Sequence, residues 1–250
     1  MNNGKMSVGL SQRIRLEWLE RTAALARAGN DRTAAHDALD EMLAGELSVG
    51  SNTRRNSRAK TIITLLKIWF DGPPQVAALR EAGQSLLPTL PSVDRLAIHW
   101  GMMMAVYPFW GAVATSVGRL LRLQGAASAS QVQRRMRELY GDRETVSHAT
   151  NRVLRSCVDW GVLADAKSRS VYEPSMNLEI VPPKLAAWLA EALLTGHMDP
   201  ASSTHLLNHP SLFPFRVTPV DGRELVAHSA RLELLQGIDD DLIMLRSRNS

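Results

Sequence analysis

Residues 127–174 carry the clearest structural pattern in the chain: ASASQVQRRMRELYGDRETVSHATNRVLRSCVDWGVLADAKSRSVYEP. Ser130 is a candidate cap for a first helix, which Gly141 ends. A second helix is predicted from Arg143 to Trp160, because its first four apolar residues recur at the spacing of one helical face. The apolar residues of this second helix are Val146, Ala149, Val153, Leu154, Cys157 and Val158.

Elements on both sides extend this pattern. A helix is predicted from Trp110 to Leu123, and the small, polar residues from Gly125 onward form a turn after it. After the second helix, Val162-Leu163 and Val171-Tyr172 flank a polar segment and predict a β-hairpin. Helix, turn, helix, break, helix and hairpin is the element order of a winged helix-turn-helix. In that fold two helices brace a third in the DNA major groove, and the hairpin contacts the neighbouring backbone.

The helix that starts at Arg143 is expected to present polar side chains opposite its apolar residues. Such side chains can bind DNA, because Asn pairs with adenine and Arg with guanine through two hydrogen bonds. The predicted outward residues are Thr145, Ser147, His148, Asn151, Arg152, Arg155 and Ser156. The predicted phosphate contacts are Arg134, Arg135 and Arg137 on the preceding helix, and Lys167 and Arg169 in the hairpin tip. Arg143, at the helix start, is a further predicted DNA-binding residue. A structural unit, or one that binds protein, is the alternative interpretation.

The charge of the chain is clustered rather than evenly spread. The net charge is +4, from 29 basic and 25 acidic residues. Residues 1–70 and 112–175 each carry +4, whereas residues 71–111 carry −1 and residues 176–250 carry −3. Clustered basic charge is what an electrostatic binding surface for a polyanion requires.

A second basic cluster opens a predicted helix near residue 53. It consists of Arg54, Arg55, Arg58 and Lys60, on the expected solvent side of a helix that continues through Phe70. Cations at a helix N-terminus oppose the helix dipole at a cost of about 0.3–1 kcal/mol each, and a structural helix would place acids there. The cluster therefore predicts phosphate contacts, with a solvated charged face as the alternative.

The predicted fold is mostly α. Residues 1–106 form a helical N-terminal domain, residues 107–175 the winged helix-turn-helix, and residues 176–250 a small α+β C-terminal domain that could be a second winged helix. Cys157 is the single cysteine, which excludes a disulfide framework and a Cys-rich zinc module.

Two further signals favour structural interpretations. Leu96–Gly118 contains no charged side chain, but Pro108 interrupts it, so two buried helices are predicted rather than a membrane span. His205 and His209 have zinc-like spacing, yet no third ligand is evident, so a structural or surface pair is expected. Because no nucleotide-binding or catalytic motif occurs, a non-enzymatic protein without cofactor or metal is predicted.

Short strings between Phe109 and Leu163 resemble bacterial winged helix-turn-helix proteins. They are Gly118-Arg119-Leu120-Leu121, Gly141-Asp142-Arg143 and Asp159-Trp160-Gly161-Val162-Leu163. The whole layout, including the basic helix start at Thr53–Arg58, is similar to the BrxA family of BREX phage-defence systems. This resemblance implies double-stranded DNA binding without catalysis, beside larger defence enzymes.

The expected partners are double-stranded DNA and other proteins of a defence or regulatory complex, with a homodimer left open. A cytoplasmic location is expected, without a membrane partner. The competing hypothesis is an adaptor subunit of a multi-protein complex, which would use the winged helix as a docking surface for protein.

Overall fold

A computed structural model of the chain describes residues 8–47, 57–196, 198–237 and 241–246. Of these residues, 61% are helical and 11% are in strands, which confirms a mostly α fold. The helices are α1 (Leu16–Arg27), α2 (Arg32–Leu43), α3 (Ser57–Trp69), α4 (Ala77–Leu86), α5 (Arg95–Val106), α6 (Pro108–Gln124), α7 (Ala129–Tyr140), α8 (Glu144–Asp159), α9 (Pro183–Thr195), α10 (Ser203–Leu207) and α11 (Gly222–Ala227). The strands are β1 (Ala127–Ser128), β2 (Leu163–Asp165), β3 (Val171–Pro174), β4 (Leu178–Ile180), β5 (Phe215–Val217), β6 (Leu232–Leu235) and β7 (Leu242–Leu245).

The N-terminal helices follow local signals in the sequence. Gly29, with a φ of +79°, follows α1, and the Asp31 side chain caps α2 by accepting a hydrogen bond from the Ala34 amide at 2.8 Å. The apolar face of α3 is narrower than its composition suggests, because Ile63 is 58% exposed whereas Ile62 is fully buried. The predicted helix start near residue 53 lies outside the described residues.

The uncharged stretch forms two helices, as predicted. Tyr107 separates α5 from α6, and Pro108 occupies the first turn of α6. The lack of a backbone N–H in proline has no cost there, because an N–H at this position has no partner within the helix. No single helix within the described ranges is long and apolar enough to cross a membrane, and the two helices of this pair bend by 117° relative to each other.

Residues 108–174, here called the first hairpin unit, run in the order α6, β1, α7, α8, β2, β3. Its sheet has the strand order β1–β3–β2, and both pairings are antiparallel. The cap of α7 is Ser128, not Ser130: Ser128 and Gln131 form a reciprocal capping box. Ser128 pairs with Val171 of β3 as well, so strand β1 leads directly into the helix. Leu139 on α7 is 46% exposed, although apolar side chains are usually buried on an amphipathic helix.

Residues 183–245, here called the second hairpin unit, contain a related strand arrangement. Strands β6 and β7 form an antiparallel hairpin, and Ala201 pairs with Ile243 of β7. In the second unit Ala201 thus takes the place of β1, β7 that of β3 and β6 that of β2. A serine also caps the helix that follows this first position in both units: Ser202 caps α10, and Ser128 caps α7. The second unit also contains β5, which pairs in parallel with β4 outside it.

A continuous hydrophobic core joins the three predicted segments. Helix α9 is buried along its length, and Trp188 donates its indole N–H to the Leu79 carbonyl at 3.0 Å. Two glycines permit the closest contacts. A Cβ at Gly101 would lie 2.4 Å from the Trp188 ring, and a Cβ at Gly118 would lie 1.9 Å from the Pro210 carbonyl oxygen. The two hairpin units therefore meet in tight packing at Gly118.

Candidate nucleic-acid interface

One face of α8 is solvent-exposed and polar. Thr145, His148, Asn151 and Arg152 are exposed, while Ser147 and Arg155 are half-buried. These residues recur over three turns on the side opposite the buried Val146, Ala149 and Val153. The face combines hydrogen-bond donors and acceptors with two guanidinium groups, which are the groups that read base edges.

Asn151 is held by a neighbouring helix. The Gln133 side chain on α7 donates a hydrogen bond from Nε2 to Asn151 Oδ1 at 2.7 Å. The Asn151 amide nitrogen stays available as a donor, and Oδ1 keeps a second lone pair. His148 lies 3.1 Å from Glu144 Oε1, one turn earlier on the same helix. The polar groups of α8 are thus oriented by short contacts within the first hairpin unit.

Arg155 links α8 to the hairpin. Its Nη1 lies 2.9 Å from both carboxylate oxygens of Asp165 on β2. This hydrogen bond with Asp165 raises the pKa of Arg155. Exposed ion pairs contribute about 0–1 kcal/mol, so a phosphate could displace the carboxylate at small cost.

Ser156 does not belong to the outward face, contrary to the prediction. It is 1% exposed, and its hydroxyl accepts a hydrogen bond from the Ile14 amide at 2.9 Å. The Trp160 indole donates to the Ile14 carbonyl at 2.9 Å, and Arg13 pairs with Asp159. The segment before α1 therefore packs along the C-terminal end of α8. No local pattern in the sequence predicts this contact, because its partners are about 145 residues apart.

The predicted DNA-binding cations divide into those that pair with a neighbouring group and those that do not. Arg134 and Arg135 lie 3.9 and 3.0 Å from Glu138, and all three side chains are exposed. Arg137 lies 3.8 Å from Asp142, and the Arg143 guanidinium donates to the Tyr140 carbonyl at 2.8 Å. By contrast, Arg152 on α8 and Lys167 and Arg169 in the hairpin tip are exposed. Within the described part of the chain, these three make no ion pair.

The basic cluster near the start of α3 differs from the prediction. Arg58 points toward α2 rather than into solvent: its side chain is 16% exposed and its Nε lies 2.9 Å from Asp40 Oδ1. Helix α2 packs against α3 and brings this carboxylate to the arginine. Lys60 is half-buried, and Arg54 and Arg55 lie outside the described residues.

Cys157 is buried, whereas His205 is exposed and His209 is half-buried. Burial raises the pKa of the Cys157 thiol. Within the ranges that the structure describes, no three His, Cys, Asp or Glu residues form a group that could hold a metal ion. The rings of His205 and His209 lie 6.3 Å apart, and His209 Nδ1 accepts a hydrogen bond from the Ser211 amide at 3.3 Å. Burial, with His205, Arg119 and Arg122 nearby, lowers the pKa of His209 to about 4.

Comparison of the chain with protein-family models, curated proteins and solved structures finds no match.

Proposed function

We propose that the first hairpin unit is a winged helix-turn-helix that binds double-stranded DNA without catalysing a reaction. The observation that carries this proposal is the exposed polar face of α8, beside an exposed basic hairpin tip. Helix α8 has 16 residues and is about 24 Å long, which is enough to lie along a major groove. Asn151 and Arg152 would contact base edges, and Lys167 and Arg169 would contact phosphates.

Electrostatics supports a polyanionic partner. The first hairpin unit contains ten basic and six acidic residues. The ion pairs of Arg134, Arg135 and Arg155 are exposed and exchangeable, and Arg152, Lys167 and Arg169 form none among the described residues. The phosphates of a duplex could therefore bind these cationic side chains without disrupting contacts in the hydrophobic core.

The test is the affinity for a duplex DNA library at two salt concentrations, for wild type and a variant of α8. The variant combines Asn151→Ala, Arg152→Ala and Arg155→Ala. We expect wild-type affinity to fall steeply with salt, because phosphate binding releases counterions. We expect the variant to bind about 10–100-fold more weakly, since a base contact contributes about 1–3 kcal/mol.

A matched control changes the second hairpin unit. Arg223→Ala with His228→Ala removes exposed side chains from α11 and its end and should leave DNA affinity unchanged. Circular dichroism and melting temperature check that both variants keep the fold. Unchanged affinity of the folded α8 variant would refute the proposed interface.

A protein-interaction adaptor is the second candidate. Two leucines of the first unit favour it, because Leu123 is 82% exposed and Leu139 is 46% exposed. The adaptor predicts binding to a protein partner that weakens little as the salt concentration rises. Loss of that binding in the double variant Leu123→Ser, Leu139→Ser would support the adaptor over the DNA-binding function.

The cellular role that we propose is in a bacterial phage-defence system, in the cytoplasm. Its support is the similarity in layout to the BrxA family, in which a helical N-terminal part precedes winged helices. The Ala201–β7–β6 arrangement is consistent with a second winged helix in residues 183–245. This role predicts that deletion of the coding sequence raises the plating efficiency of phage on the host.

A further inference from the structure

A basic cleft lies where α6 of the first hairpin unit faces α10 of the second. It has a volume of about 790 Å³, within the range of small-molecule sites. Arg119 and Arg122 line one side, and His205 and His209 line the other. None of these side chains belongs to the face of α8 that we assign to DNA, so the cleft is a separate feature.

The charges in this cleft are poorly neutralised. Arg119 is exposed and makes no ion pair with any residue in the described ranges. Arg122 is hydrogen-bonded to the Asn208 carbonyl at 2.6 Å, which orients its guanidinium but does not neutralise it. Burial lowers the pKa of His209, and the neighbouring positive groups of His205, Arg119 and Arg122 lower it further. Asp241 is the single acidic side chain among the described lining residues.

Hydroxyl groups line the cleft beside the cations. Ser202, Ser203 and Thr204 lie along its wall. Ser202 Oγ accepts a hydrogen bond from the His205 amide at 3.3 Å, which leaves its own proton free to donate. Two guanidinium groups, an exposed imidazole and hydroxyl donors around one concave volume are suited to tetrahedral oxyanions.

We propose that this cleft binds a small phosphorylated anion, with Arg119, Arg122 and His205 as its cationic ligands. The volume of about 790 Å³ is of the size that encloses a compact ligand. The phosphoryl group can belong to an inorganic phosphate or to a nucleotide. The proposal does not depend on DNA binding by α8.

Calorimetric titration of the full-length protein at low ionic strength tests the proposal, with inorganic pyrophosphate and ADP as separate probes. We expect saturable binding of pyrophosphate. Similar affinities for both probes would identify the phosphate groups as the recognised feature, and at least tenfold tighter binding of ADP would identify a nucleotide site. Absence of binding by both probes at millimolar concentration would overturn the proposal.

Variants of the cleft provide effects of opposite sign. Arg119→Ala, which removes no hydrogen bond or ion pair within the described residues, should weaken pyrophosphate binding at least tenfold. Asp241→Asn should strengthen it about threefold, because it removes a negative charge from the lining. Arg122→Ala carries a risk to the fold through Asn208, so Arg122→Lys is the better second variant, with an expected loss of about threefold.

The control is Arg216→Ala, an exposed arginine of β5 that pairs with Glu179 and lies outside the cleft. It should leave pyrophosphate binding unchanged. Equal binding by wild type and Arg119→Ala would overturn the proposal. A loss of duplex DNA affinity in Arg119→Ala as large as its loss of pyrophosphate affinity would assign the cleft to the DNA backbone and overturn it too.

Discussion

The two hairpin units share a strand order but differ in the helix before the hairpin. In the first unit that helix is α8, with 16 residues; in the second it is α11, with six residues and a length of about 9 Å. The long helix has an exposed polar face, whereas the short one buries Leu225 and exposes both Arg223 and Glu224. The same strand order is thus combined with two different helices. Helix α8 is long enough to lie along a DNA major groove, whereas α11 is too short.

The two units also differ in charge and in burial. The hairpin tip of the first unit contains Lys167 and Arg169, whereas the segment between β6 and β7 contains three aspartates at 239–241. The second unit instead contributes the buried helix α9 to the common core. On the proposed function the first unit would contact DNA, whereas the second unit contributes α9 to the core and His205 and His209 to the basic cleft.

Charge reversal should separate the two units most clearly. Arg152→Glu, Lys167→Glu and Arg169→Glu together should lower duplex DNA affinity about 100-fold at low salt, because attraction to phosphates becomes repulsion. Arg216→Glu with Arg223→Glu, in the second unit, should change it less than threefold. Fluorescence anisotropy with labelled duplex measures both. Equal losses in the two variants would show that DNA binding is not localised to the first unit.

The contact between the units should be sensitive to a single methyl group. Gly118→Ala places a Cβ against the backbone of Pro210 and should lower the free energy of unfolding by about 1–3 kcal/mol. Gly45→Ala is the control, because its added Cβ meets no atom within 4 Å. Urea denaturation followed by tryptophan fluorescence measures the difference. If both variants have the same midpoint, the units do not pack tightly at Gly118.

Acid should destabilise the junction through His209. Its pKa is lowered from 6.5 to about 4 in the folded protein, so the unfolded chain binds the proton more readily. The contribution of His209 to the free energy of unfolding is therefore fully present above pH 6.5 and is lost as the pH decreases toward 4. His209→Asn keeps an acceptor for the Ser211 amide but does not titrate, so its stability should decline less over this range. Parallel pH profiles of melting temperature would contradict this assignment.

The smallest expected effect concerns the ion pair between α8 and the hairpin. Asp165→Asn releases Arg155 and removes a negative charge near the hairpin tip, so duplex affinity should rise about two- to threefold. The melting temperature should hardly change, because the pair is exposed and contributes about 0–1 kcal/mol. A lower affinity would instead mean that Asp165 orients Arg155 for binding.

Most element boundaries were predictable because they depend on interactions between near neighbours. Gly141 ends α7, apolar periodicity marks α8, and the polar segment before Val171 separates two strands. The cap of α7 was misassigned by two residues, because pairing of Ser128 with β3 fixes the helix start and depends on a strand more than 40 residues away.

The sequence by itself determined the helix content, the hairpin of the first unit and the clustering of charge, since these follow from residue type and spacing. Only the tertiary structure decided which polar side chains share a surface. Packing buried Ser156 beneath the segment at Ile14, turned Arg58 toward Asp40, and placed Arg119 opposite His205. The physical reason is that these contacts join distant segments, whose meeting depends on how the whole core packs rather than on local conformational preference.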